Sequence, residues 1–373
     1  MQSRVIKVDG NNPDIKVMRE AARLLESGEL VAFPTETVYG IGCRAQADSL
    51  ARLDEVKQRS GDKYYTLHIG QKEDVEKYVP EIPVRARKLI QKGWPGPISI
   101  VFELSERDIE KVQGIFKKEV FSNIYKNNCI GIRCPDNQIA AILLQNTVWP
   151  IVAPSANLSG RPPAARAEDV LDHFDGKVDL ILDGGPCKYK KASTVVKIGK
   201  KEFQILRQGV VSKEELHRLS TIKILFVCTG NICRSPMAKG LCEKYLAEKL
   251  ETNIDLLGEI GYKIDSAGTT AAFGLKASSE AVEFCAEKGV DITAHKSKSL
   301  TKDLLQNCDY IFVMCQAHRE YVISLIPGVA GKCLLLAGER DIPDPIGGGR
   351  QVYEDCGILI EKAVKNRIAE LLI

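Results

Sequence analysis

The stretch KILFVCTGNICRSP runs from Lys223 to Pro236. Its apolar opening reads as a strand that ends at Cys228. A short polar loop follows, and Pro236 opens a helix over residues 236–250, since proline is tolerated in a first helical turn. The pattern then repeats: strands at 262–265, 310–314 and 333–336, helices at 278–288 and, amphipathic, at 353–372. Such alternation implies a parallel, doubly wound sheet, whose sites lie at the carboxyl ends of its strands.

The residues before this stretch alternate less regularly. Residues 16–30 have helical periodicity, 30–34 form an apolar strand, 49–58 read as a helix and 66–69 as a strand. Further short strands are predicted at 98–102, 130–133, 148–153, 180–182, 194–198 and 203–206, with helices between only some of them. That mixture points to a twisted sheet with parallel and antiparallel strands. The expected organisation is therefore α/β throughout. A mixed-sheet domain spans 1–212, a short charged helix (KEELHRL) lies at the join, and a doubly wound parallel-sheet domain spans 222–373.

Composition agrees with two globular domains. The chain has 373 residues, 44% of them hydrophobic and 27% charged, enough to bury cores and too apolar for a disordered chain. No apolar run reaches the roughly 18 residues of a membrane span. The opening MQSRVIKVDGNN does not read as a secretory leader, so a cytoplasmic location is expected. Twelve scattered cysteines without a CxxC pair read as reduced thiols, and no metal site is expected. Residues 1–220 hold 34 basic against 29 acidic side chains, a balance of +5, and residues 221–373 hold 18 against 20, a balance of −2. Neither suggests strong direct nucleic-acid binding.

The loop after Cys228 carries the sharpest chemistry. Backbone N–H groups between a strand and a helix can converge on an oxyanion. Arg234 offers a planar fork for two phosphate oxygens. The same positive dipoles are expected to lower the Cys228 pKa, and a thiolate beside a bound phosphate suits nucleophilic phosphoryl transfer. In DIPDPIGG, Asp344 is the candidate general acid, although Asp-Pro also serves as a plain turn.

These residues, with Asp265-Ser-Ala-Gly268, resemble the low-molecular-weight protein tyrosine phosphatases across essentially all of 222–373. The resemblance implies Cys228 as nucleophile through a cysteinyl phosphate, Arg234 as phosphate binder and Asp344 as acid and base, acting on a phosphoprotein. It also implies that Asn231, Ser235, Ser266 and His295 hold the loop; His295 could equally be a surface residue. Cys233 matches a second cysteine able to pair with the nucleophile on oxidation, or is a core thiol. Related bacterial arginine phosphatases carry Thr where Ile232 stands, which favours phosphotyrosine. Ile346-Gly347 stand where many tyrosine-specific members have aromatics. Arginine phosphatase and arsenate reductase are the alternatives.

The N-terminal motifs are PTETVYG (34–40), KQRSGDK (57–63), WPGP (94–97), APSANLSG (153–160) and ILRQG (205–209). Hydroxyls, backbone N–H groups and spaced cations suit a polyphosphate, while a solvated helix face and ordinary turns are the plainer reading. No GxxxxGK[ST] loop is present. Together the five motifs, in order, resemble the YrdC family of threonylcarbamoyl-AMP synthases over about residues 8–212, so that a YrdC-like domain would precede a phosphatase domain. The resemblance implies that L-threonine, bicarbonate and ATP, with magnesium on the phosphates, yield threonylcarbamoyl-AMP for the t6A modification of tRNA at position 37, with the tRNA threonylcarbamoyl-transfer machinery as a partner. It implies Lys57, Arg59, Lys63, Ser155, Asn157 and Arg207 around ATP, and Thr35, His68, Arg133 and Ser193 around threonine. Tyr64-Tyr65, Lys197 and Gln208 depart from the family pattern. The alternative is an RNA-binding module without synthase activity.

Overall fold

The computed structural model describes residues 2–58, 65–158, 160–199 and 203–371. It divides into two compact units, Met1–Ser220 and Thr221–Ile373.

The first unit is built on a mixed sheet. Its strands are β1 (Arg4–Lys7), β2 (Val31–Phe33), β3 (Gly40–Arg44), β4 (Thr66–His68), β5 (Ile98–Glu103), β6 (Cys129–Arg133), β7 (Ile151–Val152), β8 (Leu180–Asp183), β9 (Thr194–Ile198) and β10 (Phe203–Arg207), in the spatial order β1-β8-β2-β3-β7-β4-β6-β5-β9-β10. β4–β6 and β5–β9 pair parallel, while β5–β6 and β9–β10 pair antiparallel. The first helix, Ile15–Ser27, shows how local chemistry sets these elements. Asp14 caps its start by accepting from the Lys16 N–H, and Gly28 ends it at φ 99° with its N–H on the Leu24 and Leu25 carbonyls. Met18, Ala21, Ala22 and Leu25 form its buried stripe.

The expected strand at 148–153 shrinks to Ile151–Val152. Pro150 has no N–H to donate to a ladder, and Val148 before it is 89% exposed. In the opposite direction, β3 (GIGCR) lies partly within the residues read as a phosphate motif. Glycine is depleted in strands, but here it admits a close neighbour: a Cβ on Gly42 would lie 2.8 Å from the Phe33 ring.

The second unit carries four parallel strands, β11 (Ile222–Cys228), β12 (Tyr262–Gly268), β13 (Tyr310–Val313) and β14 (Cys333–Leu335), in the order β12-β11-β13-β14. The chain moves from β11 to one side and then returns to the other, so the strand order reverses beside β11. A crevice opens at such a switch point, at the carboxyl end of the strand, and Cys228 is the last residue of β11.

Candidate active sites

In the first unit one face of the sheet becomes the floor of a cavity of about 830 Å³. Alternation decides which residues face it. Thr66 and His68 on β4, Cys129, Gly131 and Arg133 on β6, and Ser99, Val101 and Glu103 on β5 line the cavity, while Leu67, Ile130, Ile132, Ile100 and Phe102 turn into the core. Register aligns them in rows across the strands: His68 opposite Arg133 and Arg133 opposite Ser99, then Thr66, Gly131, Val101 and Lys197.

The first row is the polar end. Arg133 is 5% exposed. Its Nη2 donates to Thr37 Oγ1 at 2.7 Å and to Thr35 Oγ1 at 3.4 Å. The same nitrogen lies 3.0 Å from the buried Glu36 carboxylate, a contact between charges in which neither Glu36 oxygen accepts a hydrogen bond. Arg133 Nε has no hydrogen-bond partner. Thr35 is itself fixed, its hydroxyl donating to the Val38 carbonyl at 2.7 Å.

Beside Arg133, burial and the neighbouring guanidinium push the His68 pKa down to about 3, so the ring is neutral. Its Nδ1 sits 3.1 Å from the Thr66 carbonyl. A carbonyl only accepts, so the proton is on Nδ1 and Nε2 is left as an acceptor. Ser193 lies across from Ser99, hydroxyl to hydroxyl at 3.0 Å. Arg207 clamps it: Nε and Nη2 donate to the Ser193 carbonyl at 3.2 and 3.0 Å, and Nη2 also to its hydroxyl at 3.2 Å. Burial, then the charge on Arg133, lowers the Arg207 pKa. Two guanidiniums that oppose each other's charge in a polar recess form a place for an anion.

At another part of the rim, the Lys57 ammonium donates to the Ser155 carbonyl and, at 2.7 Å, to the Asn157 carbonyl. The Ser155 hydroxyl donates to Asn157 Oδ1 at 2.5 Å. Lys57, Ser155, Asn157, Arg207, Thr35, His68, Arg133 and Ser193 thus line one cavity. Arg59 and Lys63, with Tyr64, lie outside the described residues. Glu36 is a partner that sequence reasoning passed over.

In the second unit the loop after Cys228 is held from beneath. Asn231 adopts the left-handed conformation at φ 54°, which asparagine tolerates better than most residues. Its N–H points to Cys228 Sγ at 3.2 Å, and its amide donates to the Ser235 hydroxyl at 2.8 Å and the Ser266 hydroxyl at 2.9 Å. Asn231 Oδ1 accepts from the Lys298 N–H at 2.9 Å, and His295 Nε2 lies 2.8 Å from the Asn231 carbonyl. The Ser235 hydroxyl is 3.0 Å from Cys228 Sγ. Asn231, Ser235, Ser266 and His295 therefore share one network around the sulfur. Cys233 lies apart from it, 3.2 Å from the Tyr353 hydroxyl.

The expected thiolate meets opposition. Burial pushes the Cys228 pKa up, against the lowering effect of the Ser235 hydroxyl and N–H, Arg234 and the Asn231 N–H. In this arrangement the sulfur is shielded, and Arg234 is turned to other partners. Its Nη1 donates to the Ile342 carbonyl at 3.1 Å, and its Nη2 donates to Thr229 Oγ1 at 3.2 Å and pairs with Asp344. Arg234 Nε has no hydrogen-bond partner. Arg234 and Asp344 share a cleft of about 450 Å³ with Thr229, His318 and Tyr321, none of which the sequence analysis singled out. The signal available was helical spacing: Ala317, His318 and Tyr321 lie on one face of the helix Gln316–Leu325.

Among the described residues, no group of three or more His, Cys, Asp or Glu could hold a metal ion, and no helix is long and apolar enough to cross a membrane.

Residues 23–209 match the Sua5/YciO/YrdC family model, described as telomere recombination. Residues 223–372 match the model for low molecular weight phosphotyrosine protein phosphatase. A threonylcarbamoyl-AMP synthase of Pyrococcus abyssi is 33% identical over 236 residues, covering 63% of this chain and 66% of that protein. One from Bacillus subtilis is 34% identical over 207 residues, covering 55% and 56%. The chain thus spans less than two thirds of the length of either relative. A solved structure of a doubly substituted Sua5 from P. abyssi matches with a TM-score of 0.51 at 25% identity, covering 72% of this chain and 91% of that one.

Proposed function

The chain belongs to the Sua5/YciO/YrdC family through its first unit and carries a low-molecular-weight phosphatase domain in its second, and from that premise we propose two activities on one polypeptide. The first unit joins L-threonine, bicarbonate and ATP into threonylcarbamoyl-AMP, releasing pyrophosphate and water. The product serves t6A modification of tRNA, with the threonylcarbamoyl-transfer machinery as its consumer. The observation that carries this reading is the pair of guanidiniums lining one cavity, the buried Arg133 and Arg207 on Ser193, beside a neutral His68. Arg133 receives the threonine carboxylate, with Thr35, Ser193 and the His68 Nε2 acceptor to orient the amino acid. Lys57, Arg59, Lys63, Ser155, Asn157 and Arg207 hold the nucleotide. Catalysis is chiefly alignment of a carbamate oxygen with the α-phosphate. With no acidic cage among the described residues, magnesium enters on the nucleotide as part of the substrate. The test is pyrophosphate release that requires threonine and bicarbonate together; release without either refutes the reading.

The second unit hydrolyses phosphotyrosine in proteins. Cys228 Sγ at the switch point, with the Asn231 N–H on it at 3.2 Å, is the supporting observation. The sulfur attacks phosphorus, the tyrosyl oxygen leaves with a proton from Asp344, and water then cleaves the cysteinyl phosphate. A phosphate that takes Arg234 releases Asp344 from its ion pair. Ile232 has no hydroxyl to orient water or meet a guanidinium, which favours phosphotyrosine over phosphoarginine. Faster release of phosphate from phosphoarginine than from phosphotyrosine peptides would reverse the assignment.

A further inference from the structure

Arg234 is held by residues that the loop network does not include. Its Nη2 donates to Thr229 Oγ1 at 3.2 Å, Thr229 Oγ1 lies 2.9 Å from His318 Nε2, and His318 Nδ1 lies 3.2 Å from Cys315 Sγ. The Thr229 hydroxyl has two lone pairs and one proton, and we adopt the direction in which it accepts from Arg234 and donates to His318. A guanidinium can only donate, so the threonine hydroxyl accepts from it and keeps one proton to give. His318 Nε2 takes that proton in a hydrogen bond, which places the ring's own proton on Nδ1, toward the Cys315 sulfur. The ring is 6% exposed. Burial, then the charge on Arg234, lowers its pKa to about 4, in keeping with the neutral form that this direction demands. Arg234 meanwhile keeps a buried Nε with no partner, so it has donor capacity left for an oxyanion.

We propose that His318 is a positioning residue for phosphate transfer: by accepting from Thr229 it turns that hydroxyl's lone pair to Arg234 and so sets the guanidinium for the phosphate. His318 comes from the helix after β13, whereas Thr229 lies in the loop after β11 and Arg234 opens the helix that follows it, Arg234–Lys249. The relay thus lets another element fix that guanidinium. This inference rests on the phosphatase reading of the loop.

The test measures binding of inorganic phosphate by calorimetry to the full chain and its variants, alongside hydrolysis of an aryl phosphate. One lost relay bond is worth a few-fold in affinity, so His318→Ala and Thr229→Val should each weaken phosphate binding about three- to tenfold. The double variant should be no weaker than the worse single, because both cut one chain. Thr229→Ser and His318→Gln keep an oxygen in each place and should return most of the affinity; they also carry the test should the truncations unfold. Phosphate affinity in His318→Ala equal to the parent, or losses that add in the double variant, would overturn the relay while aryl phosphate hydrolysis by the parent left the phosphatase reading standing. A parent chain that neither binds phosphate nor hydrolyses the ester would overturn both.

Discussion

Arg133 and Arg234 are buried in the same manner. Each rests Nη2 on a threonine hydroxyl, each faces a carboxylate, and each leaves Nε unbonded. They differ in the carboxylate. Glu36 is sealed in, whereas the Asp344 side chain is 39% exposed and can leave the pair at less cost. Arg133 is therefore held in one place. Lysine in its place keeps the charge but loses the fork, so Arg133→Lys should raise the KM for threonine about tenfold or more, with a smaller change for ATP, in pyrophosphate-release assays. His68 supplies a stability prediction with a definite sign. Its folded pKa of about 3 lies below the ordinary 6.5. Between those values the unfolded chain binds a proton that the folded chain does not. Stability therefore rises with pH across that window and is lost as pH falls below 6.5. The loss from this group between pH 7 and pH 5 is about 2 kcal/mol. Denaturant melts of His68→Gln should show a shallower acid slope than the parent; identical slopes would count against a neutral buried imidazole. Arg133, His68 and Ser193 lie outside the five motifs and are reached only through the family resemblance that those motifs carry. Glu36 could not be picked out, since nothing in a linear string says that it lies beside Arg133, and helical spacing puts His318 on a face with Tyr321 without saying that it meets Thr229.

At the level of elements, periodicity predicted the paired strands well where side chains alternate, as in β5, β6 and β9, because one face of each is core and the other is cavity floor. It failed where backbone contacts decide the outcome. β3 was hidden by its glycines, and Pro150 cut a strand that composition had extended. Gly268, at the end of β12, is another backbone position. A Cβ there would lie 2.4 Å from the Thr229 carbonyl and 2.9 Å from the Asn231 N, both in the loop around Cys228. Gly268→Ala should therefore cost about 1–3 kcal/mol and displace the loop. The expected readout is a drop in aryl phosphate kcat/KM of about tenfold or more, the scale on which small misplacements of reacting groups are felt. Threonine-dependent pyrophosphate release should not change. The helix Gln316–Leu325 makes a separate contribution. Tyr321 shares its face with His318 and lines the cleft with Asp344, whereas the Ile346 that follows Asp344-Pro345 is not aromatic. Tyr321 is thus placed to serve as the wall for a substrate ring. Tyr321→Ala should raise the KM for an aryl phosphate about two- to tenfold, from lost ring contact, while inorganic phosphate binds as before. Equal weakening of both would show that the ring is not being recognised.

For the whole chain, the question is whether one polypeptide makes two independent folding bodies. The ten-strand sheet draws every strand from Met1–Ser220, and the four-strand sheet draws every strand from Thr221–Ile373. Among the described residues, three large apolar clusters each fall within one unit: Leu30 to Leu216 and Met18 to Leu182 in the first, Leu225 to Cys333 in the second. A body of about 150 residues buries roughly 70% of its unfolded surface, which suffices for independent stability. Chain length suggested two domains and the change in element alternation placed the join, but neither could identify which side chains closed each core. Expressed separately, residues 221–373 should fold cooperatively and hydrolyse an aryl phosphate within about threefold of the full chain's kcat/KM, since Cys228, Asn231, Arg234, Ser235, Ser266, His295 and Asp344 all lie within that unit. Residues 1–220 should retain threonine- and bicarbonate-dependent pyrophosphate release. Cys228→Ser in the full chain should lower phosphate release by about a thousandfold or more, as loss of a nucleophile does, and leave pyrophosphate release intact. A fall in both activities on that single substitution would mean that the two chemistries are coupled through the chain, and the two-body account would have to be given up.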